Sequence, residues 1–133
     1  VQLLLAVTIF ACGDESPVDT GPPPFEVVGV DPDEGMPAES VVYPVQLILS
    51  AIPELSACNA ETIRVDAILD DGTVAFNSPF TFDLQSEGNL KLKPDDPYIR
   101  GYTYAVTVRG GETGCTDLNG RAILPFYSTF EVL

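Results

Sequence analysis

Three cysteines, twenty carboxylates and no histidine set the chemistry open to this chain of 133 residues. Without an imidazole there is no Ser-His-Asp triad, no Cys-His pair and no His-ligated zinc. Acid–base work then falls to carboxylate pairs, as in glycoside hydrolysis, where one acid donates a proton and the other activates water or attacks. Close acids occur at Asp70-Asp71, Asp95-Asp96 and Asp31/Asp33. Each pair sits beside Pro or Gly, where Asp side chains organise turns. The sequence therefore reads them as turn formers and the chain as not an enzyme. Calcium is the second chemistry, since it takes hard oxygen ligands from loops. Asp117-x-Asn119-Gly120 keeps part of the D-x-[DN]-x-[DN]-G spacing. Aligned on Gly120, however, the loop would begin at Cys115, and Phe126 would stand where the closing carboxylate belongs. Asp117 and Asn119 are thus incomplete metal candidates, and no cofactor is expected.

Charge narrows the partners. Six Lys and Arg against twenty Asp and Glu give a formal net charge of −14. Nucleic-acid binding draws its affinity mainly from Lys and Arg, so it is excluded, as is docking on anionic lipid through a basic face. The surplus of acid keeps the chain soluble through self-repulsion. Tyr102 and Tyr104 could line a carbohydrate or partner surface, since Tyr gives amphipathic contact area. Tyr43 and Tyr127, at outer or edge positions, are the better candidates for surface contact.

The elements that must position these residues are strands. From Phe25 to Leu133 the dominant period is two. Tyr102, Tyr104, Val106 and Val108 alternate with Thr103, Ala105, Thr107 and Arg109. Similar alternation marks Ile63–Ala67, Phe80–Gln85, Leu90–Lys93 and Phe126–Val132. Two more uniformly apolar runs, Phe25–Val30 and Val41–Ser50, are expected near the middle of packed sheets, with Pro44 at the start or edge of its strand. Turns fall at Asp31–Gly35, Asp70–Gly72, Glu87–Asn89, Pro94–Pro97 and Asn119-Gly120. About seven short strands with close turns and no helical stripe predict an all-β sandwich. Its expected core includes Val27, Leu47, Leu49, Ile63, Val65, Phe82, Leu92, Tyr104, Val106 and Phe130.

The order of motifs over 25–133 resembles the bacterial Ig-like domains of S-layer proteins, surface adhesins and multidomain exported enzymes. The motifs are a strand with a Pro-x-x-Gly turn (Val30 to Gly35), an Asp-Gly turn (Asp71-Gly72) and a Leu-x-Leu-x-Pro strand (Leu90 to Pro94). After these come Gly101 to Val108, an Asp-x-x-Gly turn (Asp117 to Gly120) and a closing Phe-rich strand. Where that family places Asn after the last turn glycine, this chain has Arg121. The resemblance implies an Ig-like sandwich in which Tyr104 occupies the place of a corner tyrosine, its hydroxyl bonding back to the backbone.

Residues 1–11, VQLLLAVTIFA, are an uncharged apolar run too short to cross a bilayer as a helix but suited to the h-region of a signal peptide. The basic n-region is missing, which suggests a truncated start. Ile9-Phe10-Ala11-Cys12 resembles the lipobox of bacterial lipoproteins. That resemblance implies lipidation at Cys12, with 12–24 as a Pro-rich tether and a membrane held through the anchor. With Cys12 so assigned, Cys58 and Cys115 remain, and an exported protein permits oxidation. In an Ig-like sandwich the connections bearing them cluster at one end, so a disulfide is expected; two free buried thiols are the alternative. The chain then reads as a lipid-anchored, non-catalytic module of the bacterial cell envelope. It would act in display, spacing or contact with an envelope protein or polysaccharide. A carbohydrate- or calcium-binding module and an accessory subunit of an exported enzyme are the competing readings.

Overall fold

The computed structural model describes residues 23–133; the apolar run, Cys12 and most of the tether lie outside the described residues. Eight strands form β1 (Val27–Asp31), β2 (Val45–Leu49), β3 (Ile63–Ile68), β4 (Val74–Asn77), β5 (Phe80–Ser86), β6 (Asn89–Pro94), β7 (Thr103–Val108) and β8 (Phe126–Glu131). They make two four-stranded sheets, ordered β1-β2-β6-β5 and β4-β3-β7-β8, with every pairing antiparallel. The all-β sandwich is as the periodicity requires.

The strand count is eight rather than seven. The additional strand, β4, returns from β3 across the Asp71-Gly72 turn. Asp71 organises that turn by accepting bonds from the Thr73 N–H (3.0 Å) and hydroxyl (2.7 Å). At four mostly exposed residues, β4 is too short to carry a readable period. The apolar run Phe25–Val30 also lies elsewhere than expected, since β1 is an edge strand. Its register shifts between Val27 and Gly29, which leaves Val28 60% exposed. Of Val41–Ser50 only Val45–Leu49 pairs as strand, directly after Pro44.

Alternation fills the space between the sheets. Val45, Leu47 and Leu49 of β2 and Leu90 and Leu92 of β6 face Ile63, Val65 and Ala67 of β3, Tyr104, Val106 and Val108 of β7, and Phe130 of β8. Each fully buried aliphatic side chain contributes about 1.5–3 kcal/mol. Val27 and Phe82 are only half-buried, against expectation. Both stand on edge strands, where one flanking neighbour is missing; Phe82 leans instead on Phe80, with ring centroids 4.8 Å apart.

One lateral edge is covered by the chain itself. Along β8, Gly35 N–H donates to Thr129 O, Glu131 N–H to Met36 O and Ala38 N–H to Glu131 O. The Glu34 carboxylate accepts from both the hydroxyl (2.8 Å) and the N–H (3.0 Å) of Thr129, which hold its pKa below the usual carboxylate value. Covering β8 in this way removes a template for edge-to-edge pairing.

At one end of the sandwich lie the β2–β3 and β7–β8 connections, the β5–β6 turn and the described start of the chain. Gly88 makes the tight β5–β6 turn, at φ +73°, and a Cβ there would overlap Leu49 O. Gly88→Ala is expected to cost about 1–3 kcal/mol, read as a lower denaturation midpoint. An unchanged midpoint would show that the turn relaxes freely.

Candidate interaction site at the disulfide end

Cys58 and Cys115 are joined by a disulfide, buried, with a Cα separation of 4.4 Å. The bridge ties the β2–β3 connection to the β7–β8 connection. Backbone bonds extend the tie: Glu54 N–H donates to Thr116 O and Leu118 N–H to Ile52 O, and Pro53 bridges Asp117. Two long loops therefore behave as one pinned layer.

Asp117 organises that layer. It is 2% exposed, and its Oδ1 accepts the N–H groups of Asn119 and Arg121, both at 2.9 Å. Its Oδ2 holds Arg121 Nε at 2.7 Å. Burial alone would raise this carboxyl, but the bonds from Arg121 and Asn119 and the guanidinium charge outweigh it and lower the pKa. Arg121 in turn donates through Nη1 to Pro23 O at 2.6 Å, fastening the described start of the chain to the same end. The residue at which the chain departs from the Ig-like pattern is thus the partner of a buried acid.

This geometry bears directly on calcium. Both oxygens of Asp117 are committed to N–H donors, and Asn119 contributes its backbone N–H, not an oxygen. Millimolar calcium is therefore expected to leave the melting midpoint unchanged; a rise would mean a site that binds the native state. Asp117→Ala is expected to cost about 2–4 kcal/mol, because it strands Arg121 and two amide donors. The lowered pKa gives stability that is present above the ordinary carboxylate pKa and lost as pH falls through the folded value. Melting scans from pH 6 to pH 2 should show this loss in the wild type and a shallower one in Asp117→Asn.

The tyrosines separate by role. Tyr104 packs between Tyr98 (4.9 Å) and Phe130 (5.6 Å), and its hydroxyl accepts the Ile99 N–H at 2.7 Å. That is a corner tyrosine in fact as well as by resemblance. Tyr98, a second buried phenol, donates to Tyr43 O at 2.8 Å; burial raises the pKa of both rings. Tyr102 is half-buried against Phe76, beside the exposed Asp70 and Asp71. Tyr43 donates its hydroxyl to Asp31 at 2.6 Å, and that bond pushes its pKa up to about 12. Tyr127 alone of the five is strongly exposed, at 56%.

Tyr127 lies in a shallow groove of 540 Å³ on the outer face of the β4-β3-β7-β8 sheet. Strand register builds it. Arg64 pairs with Thr107, and Thr107 pairs with Tyr127, so the three form one row across β3, β7 and β8. Beyond that row, Arg109 N–H donates to Thr62 O, and Pro125 closes the far wall. Arg64 grips Asp66 through Nη2 (2.9 Å) and Nε (3.3 Å); Asp66 is only 4% exposed and also accepts from Asn77 Nδ2 at 3.0 Å. Arg109 is steadied by donating to Thr113 O at 3.1 Å. Glu61 is the single carboxylate of the lining, so the groove holds no acid–base pair.

Sequence reasoning found Tyr127 but missed Arg64, Thr107 and Arg109. They were visible only as outward members of period-two runs; the register that aligns them is a tertiary fact. The acid pairs Asp70-Asp71 and Asp95-Asp96 sit at turns, as expected, and no cluster of three metal-ligating acids or cysteines occurs among the described residues.

No family model and no curated protein matches the sequence. Among solved structures, the chain is similar to the S-layer protein SbsC. One structure of it gives a TM-score of 0.57 at 14% identity over 81% of this chain and 13% of that one. Another, of its N-terminal part, gives 0.53 at 13% identity, covering 81% and 24%. An L,D-transpeptidase from Mycobacterium smegmatis gives 0.50 at 18% identity, covering 83% of this chain and 40% of the enzyme. The chain therefore spans well under half of each of these proteins. What it shares with them is the β-sandwich fold.

Proposed function

We propose that this chain is a non-catalytic, Ig-like module of the bacterial cell envelope, displayed at the surface through a lipid on Cys12 and acting by contact. The observation that carries this reading is the groove on the outer sheet face. It offers guanidinium, phenol and apolar surface, with no cysteine and a single carboxylate. Both described cysteines are spent in the disulfide, and the chain has no histidine. Support for the location comes from the disulfide, which suits an oxidising compartment, and from the S-layer proteins whose structures it resembles. The enzyme neighbour favours a second reading, an accessory domain beside a catalytic one, since the match covers only 40% of that chain.

Expression of the chain behind a complete signal sequence, with labelled palmitate, tests the proposal. Label in the membrane fraction that disappears in Cys12→Ser is expected. Label that persists in the variant, or protein that stays in the cytoplasm, would contradict it.

A further inference from the structure

The chain is gripped where it enters the fold. Every carbonyl of residues 23–26 accepts a hydrogen bond from the body of the domain. Arg121 Nη1 donates to Pro23 O at 2.6 Å and the Ser50 hydroxyl to Pro24 O at 3.0 Å. Leu124 N–H donates to Phe25 O and Ser50 N–H to Glu26 O, both at 2.9 Å. The Ser50 hydroxyl also accepts the Glu26 N–H at 2.9 Å. Ser50 follows β2 and Leu124 precedes β8, so the segment is sewn to both sheets at once. The Phe25 side chain, 1% exposed, sits in the core as a plug. Pro23 and Pro24 are exposed, and water would serve their carbonyls nearly as well as Arg121 and Ser50 do. Their bonds therefore add little to the core. What they add is resistance at the point where a tether pulls.

Direction matters as much as number. Phe25 bridges Ile123 in parallel. From this end β1 and β8 both run towards the far one, where Gly101 N–H holds Val132 O and Arg100 holds Leu133 O. Tension between residue 23 and the far end thus acts along these segments and across their hydrogen bonds. Bonds loaded in that way share the force and must break together. The grip also reaches deep: the guanidinium that holds Pro23 is itself held by buried Asp117, beside the Cys58–Cys115 bridge. Resting on the proposed lipid anchor, we infer a further function for this entry: residues 23–26, Ser50 and Arg121 form a clamp that carries tension arriving through the tether. A module anchored at one end and gripped at the other keeps its fold under pull.

The test pulls on the chain from Cys12 to Leu133, with its disulfide, at constant force in magnetic tweezers. One handle follows Leu133; the other is attached through the unlipidated Cys12 thiol, where the lipid would act. In a second geometry, Cys12→Ser with Val74→Cys moves that handle to β4, where Val74 is 55% exposed, and bypasses the clamp. Ser50→Ala is expected to shorten the lifetime before unfolding about fivefold when the pull comes from Cys12, and less than about twofold when it comes from β4. Arg121→Lys keeps a cation beside Asp117 but lacks the fork whose second arm reaches Pro23, so the same split is expected. Equal shortening in both geometries would reduce these residues to structural support, and no shortening under pull from Cys12 would mean that the entry bears no load; either result overturns the inference. Palmitate labelling is scored separately, so failure here leaves the proposed anchor standing, and the converse holds.

Discussion

Replacing Cys58 and Cys115 together by alanine is expected to lower the free energy of unfolding by about 4 kcal/mol. The bridge spans a sequence separation of 57 residues. Closing a loop of that length removes roughly 4 kcal/mol of chain entropy from the unfolded state. A domain of this size has about 5–15 kcal/mol in all, so the loss is a large share of the total. The loss is also local. Without the bridge, the Glu54–Thr116 and Leu118–Ile52 bonds must hold the two loops alone. Denaturant unfolding of wild type and double variant measures the difference, and hydrogen exchange on the amides of Glu54 and Leu118 locates it. A difference below about 1 kcal/mol would mean that the loops hold each other without covalent help.

Truncating Tyr104 to Ala is expected to cost about 3–5 kcal/mol, and Tyr104→Phe about 1–3 kcal/mol. The larger figure follows from place: the ring is almost wholly buried between Tyr98 and Phe130, and its loss opens a cavity at the centre of the aromatic cluster. The smaller figure isolates the corner, because phenylalanine keeps the packing and leaves the Ile99 N–H without its acceptor. Equal stability of Tyr104→Phe and wild type would reduce the corner to packing alone.

These two features, the bridge and the corner, differ from the groove in how they could be read from sequence. Period two assigned five of the eight strands, and two uniformly apolar runs marked β1 and β2. The period is clearest where Tyr104, Val106 and Val108, or Leu90 and Leu92, alternate with polar neighbours on strands flanked on both sides. The pattern fades at edges. β4 is too short for it, and the bulge in β1 breaks it at Val28. Phe82 was placed in the core by that alternation and Val27 by its apolar run, yet neither records whether a neighbouring strand covers the side chain. The disulfide followed from counting cysteines once the lipobox resemblance had claimed Cys12, and from the Ig-like resemblance, which gathers the two connections at one end. Asp117 looked like an incomplete calcium ligand because Cys115 and Phe126 stand where the first and last ligands of such a loop belong. That its carboxylate is taken by Arg121, four residues on, is a matter of side-chain geometry. The groove was least legible, since Arg64, Thr107 and Tyr127 are brought into one row by pairing between strands far apart in sequence.

The central claim is that this sandwich is an oxidised module held outside the cytoplasmic membrane. The most direct measurement is a non-reducing peptide mass map of the protein after cells with an intact cytoplasmic membrane meet a membrane-impermeant amine reagent. Lys93 is well exposed, with 54% of its side chain open, and reports access. The account predicts Lys93 labelled on intact cells and the Cys58 peptide recovered covalently joined to the Cys115 peptide. Lysine labelling only after lysis, with both thiols free to alkylate, would contradict it.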